Sequence, residues 1–147
     1  MIQEDKELLL KDLSARLPYG VLCEDMEGKM RPLFRITPTQ HFIVTLDNAT
    51  DGTNGLKFCT IDCVKPYLRP MSSMTEEEKV EYYNTMNKET QRNYPNSCDF
   101  SESVYYSNTI KTFDWLNAHH FDYRGLIDKG LAIAVTKENN PYKGIEL

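Results

Sequence analysis

Residues 19–62 decide the fold class, and they read YGVLCEDMEGKMRPLFRITPTQHFIVTLDNATDGTNGLKFCTID. Short runs rich in β-branched and aromatic residues alternate there with turn-forming residues, a pattern typical of strands. The predicted strands are 19–25, 30–36, 41–47 and 56–62. The separators agree, since Glu27-Gly28 fits a tight hairpin turn and Thr37-Pro38 fits a bend. The stretch therefore predicts a small antiparallel sheet or an SH3-like barrel.

Helices are predicted on both sides of this sheet. Residues 4–17 place leucines at helical spacing and end before Pro18. Thr75-Glu76-Glu77-Glu78 is a capping box that opens a second helix, on which Val80, Tyr83 and Met86 form an apolar stripe.

The rest of the second half is read in the same way. A further helical unit is predicted over 107–129, with Ile110, Phe113 and Leu116 on its buried face, a restart at Phe121-Asp122, and Gly130 just past its end. Residues 131–135 fit an edge strand. The two prolines of 64–70 predict that this segment leaves the sheet, and the polar stretch 87–103 predicts a loop.

The predicted class is therefore α+β, with one helix before a small sheet and a helical region after it. The predicted units are 1–72 for the helix and sheet, 73–136 for a helical region packed on it, and 137–147 for a flexible tail.

Composition narrows the functional classes. The 147 residues carry a net charge of -5 with 17 Lys plus Arg against 22 Asp plus Glu, which disfavours a nucleic-acid clamp. The sequence contains no apolar run of the ~20 residues that span a bilayer. Its first residues lack the features of an export signal, so we expect a cytoplasmic protein with reduced thiols.

The cysteines and histidines raise the hypothesis of a zinc site or a catalytic site. A zinc site could be formed by Cys23, Cys59, Cys63 and His41. However, structural zinc sites favour two cysteines separated by two residues, and this sequence has no such pair. Buried free thiols are therefore the favoured interpretation. His119 and His120 point about 100° apart on a helix and so do not readily share one ion. We predict no metal, no cofactor and no catalytic residue, with a Cys/His enzyme or zinc protein as the least favoured class.

A basic-aromatic cluster raises the hypothesis of a site for a phosphate or a base. Lys57, Lys65 and Arg69, with Tyr67 between the last two, could bind a phosphate or stack a base at the rim of the sheet. Residues 1–74 hold nine basic and ten acidic side chains, so the cluster has no supporting field of positive charge. A plain surface rim is the competing interpretation.

Tyrosine is the most unusual component, with nine in the chain and most of them past residue 80. Tyrosines supply large contact area and are enriched in recognition surfaces. Tyr82, Tyr105 and Tyr123 are the candidate contact residues of such a surface. The competing interpretation is that Tyr83 and Tyr106 pack inward and their neighbours line the rim.

Three segments also carry a family resemblance. They are residues 11–21 (KDLSARLPYGV), 64–78 (VKPYLRPMSSMTEEE) and 114–131 (DWLNAHHFDYRGLIDKGL). Together they resemble a family of short uncharacterised proteins from gut anaerobic bacteria and their phages and mobile elements. The resemblance implies a genomic context rather than a chemistry, and by analogy it raises the expectation of a host-interaction or anti-defence role.

Two functional hypotheses follow. The leading one is a small non-enzymatic interaction module whose partner is another protein, and the alternative is a binder of a small ligand or nucleotide. The oligomeric state is left open, and nucleic acid and membrane partners are disfavoured.

Overall fold

The computed structural model describes residues 1–37, 39, 42–48, 54–93 and 109–145. Four α-helices lie in these ranges: α1 (Gln3–Arg16), α2 (Glu76–Thr85), α3 (Lys88–Asn93) and α4 (Ile110–Ala118). The six strands are β1 (Leu22–Glu24), β2 (Met30–Thr37), β3 (Phe42–Asn48), β4 (Asn54–Thr60), β5 (Lys65–Leu68) and β6 (Ile133–Ala134). Single 3-10 turns occur at Leu17–Tyr19, Ile61–Cys63 and Met71–Ser73.

The strands form one sheet in the order β4-β3-β2-β1-β5-β6. Its neighbours are antiparallel except for β5 and β6, which run parallel. The α+β prediction is confirmed. Of the two predicted alternatives, a small sheet or an SH3-like barrel, the sheet forms, since its strands do not close into a barrel. The first hairpin is confirmed as well: Gly28 has φ +75° at the turn, and Asp25 accepts the amides of Glu27 and Lys29.

The prediction that 64–70 leaves the sheet is wrong, because β5 lies between β1 and β6. Pro66 is paired with Cys23 of β1, whereas β6 pairs only with Tyr67 and Leu68 beyond it. The amide that Pro66 lacks is therefore not needed in the β5–β6 ladder.

Three apolar clusters hold the fold together. The main one packs α1 on one face of the sheet, with Leu9, Leu13, Cys23, Ile43 and Leu68 all buried. A second cluster joins α2, α4 and Phe121. A third contains Tyr67, Val135 and Tyr142. Tyr142 lies inside the predicted tail, of which residues 137–145 are described, and its ring is buried.

The helical predictions need three corrections. The stretch 87–103, predicted as a loop, contains α3, and its residues 94–103 lie outside the described residues. α4 ends at Ala118, where His120 adopts φ +62°, and the chain makes turns up to residue 130 instead of restarting a helix at Phe121-Asp122. Of the stripe predicted on α2, Val80 is exposed, whereas Tyr83 is half-buried and Met86 is buried at the end of the helix; within the helix, Tyr82 and Thr85 are the buried positions. The capping box at Thr75 and Glu78 is confirmed.

Candidate functional site

The predicted basic-aromatic cluster is dispersed. Lys57 lies in β4, four strands away from Lys65 and Tyr67 of β5, and its ammonium is 2.7 Å from a carboxylate oxygen of Glu27. Tyr67 is buried and donates its hydroxyl to Glu24 at 2.9 Å. Burial, and then the Glu24 carboxylate, raises the pKa of Tyr67 to about 12. Of this cluster, only Lys65 is an exposed cation.

Arg69 is fully buried rather than part of a rim. Its two terminal nitrogens donate to the two carboxylate oxygens of Glu78 at 2.8 and 2.9 Å. Burial would raise the pKa of Glu78, but the hydrogen bonds and charge of Arg69 outweigh it and hold that pKa below its usual value. A guanidinium neutralised in this way does not offer a free site for a phosphate.

The candidate tyrosines are not gathered on one surface. Tyr82 is fully buried and packs on Trp115 with ring centroids 5.5 Å apart, which removes it from any exposed recognition surface. Tyr123 is half-buried and donates to Asn117 at 2.8 Å. The guanidinium groups of Arg16 and Arg124 lie 5.2 and 5.0 Å from the centroid of its ring. Tyr105 lies outside the described residues.

Cys23, Cys59 and Cys63 are free thiols, and His41 and Cys98 lie outside the described residues. Burial raises the pKa of Cys59 to about 11, and it raises the pKa of Cys23 as well. Within the described ranges, no group of three or more His, Cys, Asp or Glu side chains is arranged to hold a metal ion.

One cleft of about 380 Å³ brings titratable groups together. It is lined by Arg69, Thr75, Glu77, Glu78, Glu81, His119, Gly144 and Ile145. His119 stacks on Trp115 at 4.1 Å, and its Nδ1 lies 2.8 Å from the Trp115 carbonyl oxygen. Its Nε2 is then 3.8 Å from a carboxylate oxygen of Glu81, which also accepts from the Trp115 indole.

This cleft lacks the parts of a nucleophilic site among the residues that line it. The Thr75 hydroxyl accepts the amide of Glu78 as a helix cap, and no cysteine or serine lines the cavity. Glu78 and Arg69 neutralise each other, and the remaining Glu77 and Glu81 make the cleft electronegative. It therefore suits a positively charged group better than an anionic nucleotide.

Among the described residues, several exposed apolar side chains lie together on the face of β2–β4 that points away from α1. Ile43 of β3 and its partner Cys59 of β4 belong to the main core. Because side chains alternate along strands, the next pair, Val44 and Phe58, points to the opposite face. We call this surface the apolar outer face. Its apolar side chains are Met30, Phe34, Phe42, Val44, Leu46, Leu56 and Phe58, and the exposed Arg35, which is paired with Val44, lies on the same face.

Exposure within the apolar outer face is uneven. Phe34, Phe42, Leu56 and Phe58 are 48%, 42%, 44% and 61% exposed, whereas Val44 among them is 1% exposed. Val44 belongs to none of the three core clusters, so the ring of larger side chains covers it from the solvent side. A bulge between Leu33 and Arg35 adds to the surface because it leaves Phe34 outside the regular pairing.

No family model matches the chain, no curated protein matches it in sequence, and no solved structure matches its fold. In the part of the chain that the structure describes, none of the helices is both long and apolar enough to cross a bilayer.

A signal for the apolar outer face exists in the sequence. Phe42, Ile43 and Val44 are three successive apolar residues in one strand. A strand with a single buried face alternates apolar with polar residues, so this run implies that both faces are apolar. With α1 available for one face, the other face has to be covered by something else or remain exposed.

Proposed function

We propose that this protein is a small non-enzymatic interaction module that docks another protein on the apolar outer face. The single observation that carries the proposal is the ring of half-exposed Phe34, Phe42, Leu56 and Phe58 around the covered Val44. Scattered exposed apolar residues are ordinary, but a contiguous group on adjacent strands is typical of an interaction site.

The energetics of this surface suit a protein partner. A phenylalanine covers 150–250 Å² when fully buried, so covering the exposed parts of Phe34, Phe42 and Phe58 removes on the order of 300 Å² from water. At ~25 cal/mol per Å² this is roughly 7 kcal/mol before the costs of association. Three neighbouring aromatic anchors of this kind are what binding hot spots consist of.

The chemistry of the remaining groups supports a non-enzymatic role. A thiol with a pKa near 11, as at Cys59, stays protonated at neutral pH and is a poor nucleophile. Cys23 is fully buried. His120 stacks on Tyr142 with ring centroids 3.7 Å apart, and its burial keeps it from any substrate.

The proposal places the protein in the cytoplasm and in a phage or mobile-element context. The first part is supported by three free thiols, which suit a reducing compartment. The second part is supported only by the resemblance of residues 11–21, 64–78 and 114–131 to the family of short proteins described above. A host protein is then the expected partner.

Capture from a lysate of the native host, followed by binding with the purified partner, tests the proposal. Phe34→Lys and Phe42→Lys change the apolar outer face, and Val80→Lys is the matched control, because Val80 is 62% exposed on α2. We expect one identified partner to bind wild type and Val80→Lys equally and to bind the two phenylalanine variants at least ~30-fold more weakly. Equal binding by all four proteins would reject the proposed surface.

A small-ligand binder is the second candidate function, and the cleft beside α2 favours it. Glu77, Glu81 and His119 converge on a cavity of about 380 Å³, within the range of small-molecule sites. The charges there favour a ligand that carries an amine or guanidinium group over the nucleotide expected from sequence.

Thermal-shift measurements separate the two ligand classes. Saturating ligand at 100 times its Kd stabilises a protein by about 2.7 kcal/mol. We expect spermidine to raise the melting temperature of wild type, to do so less in Glu81→Gln, and ATP to have no effect. A shift with ATP alone would instead support a nucleotide site, and no shift with either would reject this second candidate.

A further inference from the structure

β4 is an edge strand of the sheet. Among the described residues, Asn54–Thr60 pairs with β3 on one side and with no strand on the other. In an antiparallel ladder, the amides and carbonyls of alternate residues point away from the neighbouring strand. An edge of this kind is a template for another strand.

Three features that protect many exposed edges, a proline, a bulge and an unpaired charge, are lacking in β4. The strand has no proline, and its pairing with β3 runs over seven residues without a register shift. Its one charged side chain, Lys57, is 2.7 Å from Glu27 and 3.9 Å from Asp25, so it is neutralised within the same chain. The chain as a whole has a net charge of -5, yet this edge presents no unpaired charge to repel a like edge.

We infer that β4 pairs antiparallel with β4 of a second copy of this chain, which joins the two sheets into one. Such an interface is isologous, since each copy offers the same strand, and it closes at a dimer. The occupant is a second copy because the edge is complementary to itself. Its one charge is already paired within the chain, so two copies can meet here without the repulsion that their net charge of -5 causes elsewhere. The inference goes beyond the proposed function because it needs no partner protein.

The register follows from the side chains. With a two-fold axis perpendicular to the sheet, the central residue of the paired strand lies opposite the same residue of the second copy. Centring the pair on Lys57 would set two ammonium groups opposite each other, which is destabilising. Centring it on Phe58 sets two exposed aromatic rings side by side on the outer face and places Leu56 opposite Thr60.

Pairing in this register also enlarges the apolar outer face. Phe58 is the most exposed of its phenylalanines and lies on the outermost strand. Two-fold pairing places the outer faces of both copies on the same side of the joined sheet. The two rings of exposed side chains then form one continuous surface across the dimer axis.

Sedimentation equilibrium of the wild-type protein, alone at micromolar concentrations, gives the first test. We expect a dimer, and we expect Phe58→Lys to be a monomer with an unchanged circular dichroism spectrum. Phe34→Lys is the matched control, because it changes the same face two strands away from the edge, and it stays dimeric. A wild-type protein that is still monomeric at about 100 µM would overturn the inference.

Disulfide trapping tests the register. Directly opposed residues have Cα atoms about 4.5–5.5 Å apart, within the range that a disulfide spans. In a background with Cys59→Ala, Cys63→Ser and Cys98→Ser, we expect Phe58→Cys to form a covalent dimer at least tenfold faster than Phe34→Cys under mild oxidation. Equal rates would overturn the assigned register.

The two proposals fail separately. A dimer whose Phe34→Lys variant still binds the identified partner would reject the proposed function and leave β4 pairing intact. A monomer that binds the partner through Phe34 would reject β4 pairing alone.

Discussion

The guanidinium of Arg69 lies over the ring of Phe121, 4.2 Å from the ring centroid, while both of its terminal nitrogens bind Glu78. This arrangement joins the end of β5 to the first turn of α2 and to the segment that follows α4. Glu78 also faces the amide of Thr75, so one carboxylate serves both the buried ion pair and the helix cap. In addition to the apolar packing of α2 in the second cluster, Glu78 therefore ties this helix to the end of β5 through one side chain.

Removing the charge of Glu78 tests this dependence. In Glu78→Gln, Arg69 stays buried without an ionised partner, and we expect a loss of about 3 kcal/mol in the free energy of unfolding by urea at pH 7. Glu77→Gln is the control, because Glu77 is exposed, and its expected effect is under about 0.5 kcal/mol. Equal losses in the two variants would contradict the structural role of Glu78. Because the pKa of Glu78 is lowered by folding, its contribution is present above pH ~4.3 and is lost as the pH falls through the folded value.

His120 makes stability depend on pH in the same direction. Burial, and then the positive charges of Arg16, Arg69 and His119, lowers the pKa of His120 to about 4. A lowered histidine pKa means that the unfolded chain binds more protons, so the contribution is complete above pH ~6.5 and is lost between 6.5 and 4, on the order of 3 kcal/mol.

The matched variant for this pH dependence is His120→Asn, since asparagine tolerates the φ of +62° at this position. Urea denaturation at several pH values should show the difference between wild type and variant shrinking as the pH falls from 6.5 to 4. Two parallel stability curves would mean that His120 does not titrate in this range.

Tyr142 fastens the C-terminal segment to the sheet. Its hydroxyl donates to the Tyr67 carbonyl at 2.6 Å and accepts from the Leu22 amide at 3.3 Å. We expect Tyr142→Phe to lose about 1–2 kcal/mol of stability, because two buried backbone groups lose their partner. Tyr83→Phe removes one half-buried hydrogen bond to Gln91 and should cost less than half as much. The reverse order in denaturant titrations would contradict the burial of Tyr142.

Gly130 tests the backbone of the segment before β6. Its φ is +72°, and a Cβ added there meets open space, so any cost comes from the backbone conformation alone. We expect Gly130→Ala to lose roughly 1 kcal/mol in thermal unfolding and Gly130→Asn to lose less, since asparagine visits this region more readily. A larger loss in the asparagine variant would argue against this conformation.

The parts of the fold that were predictable from sequence depend on neighbouring residues. The hairpin at Gly28 and the capping box at Thr75 are local chemistry, so a few residues of context suffice to place them. The first four strands follow from runs of β-branched and aromatic residues in the same way. The domain boundaries at 72 and 136 stay predictions.

The parts that failed depend on contacts between distant segments. Arg16 donates to the carbonyl of Phe121, 105 positions along the chain, and no local pattern shows this pairing. The choice of Tyr82 over Tyr83 as the buried ring is set by Trp115 on α4. Arg69 looked like a rim cation in sequence because its partner, Glu78, belongs to another element.

The long separation between Arg16 and Phe121 has a consequence for how the chain is made. β1 to β4 pair in sequence order over residues 22–60, so this meander can form while later residues are still being synthesised. The segment around Phe121 and β6 are synthesised after this meander. Until then, the guanidinium groups of Arg16 and Arg69 lack their contacts with Phe121. Folding of the nascent chain should therefore proceed in two stages, with the mature core closing only when the final quarter of the sequence has been released.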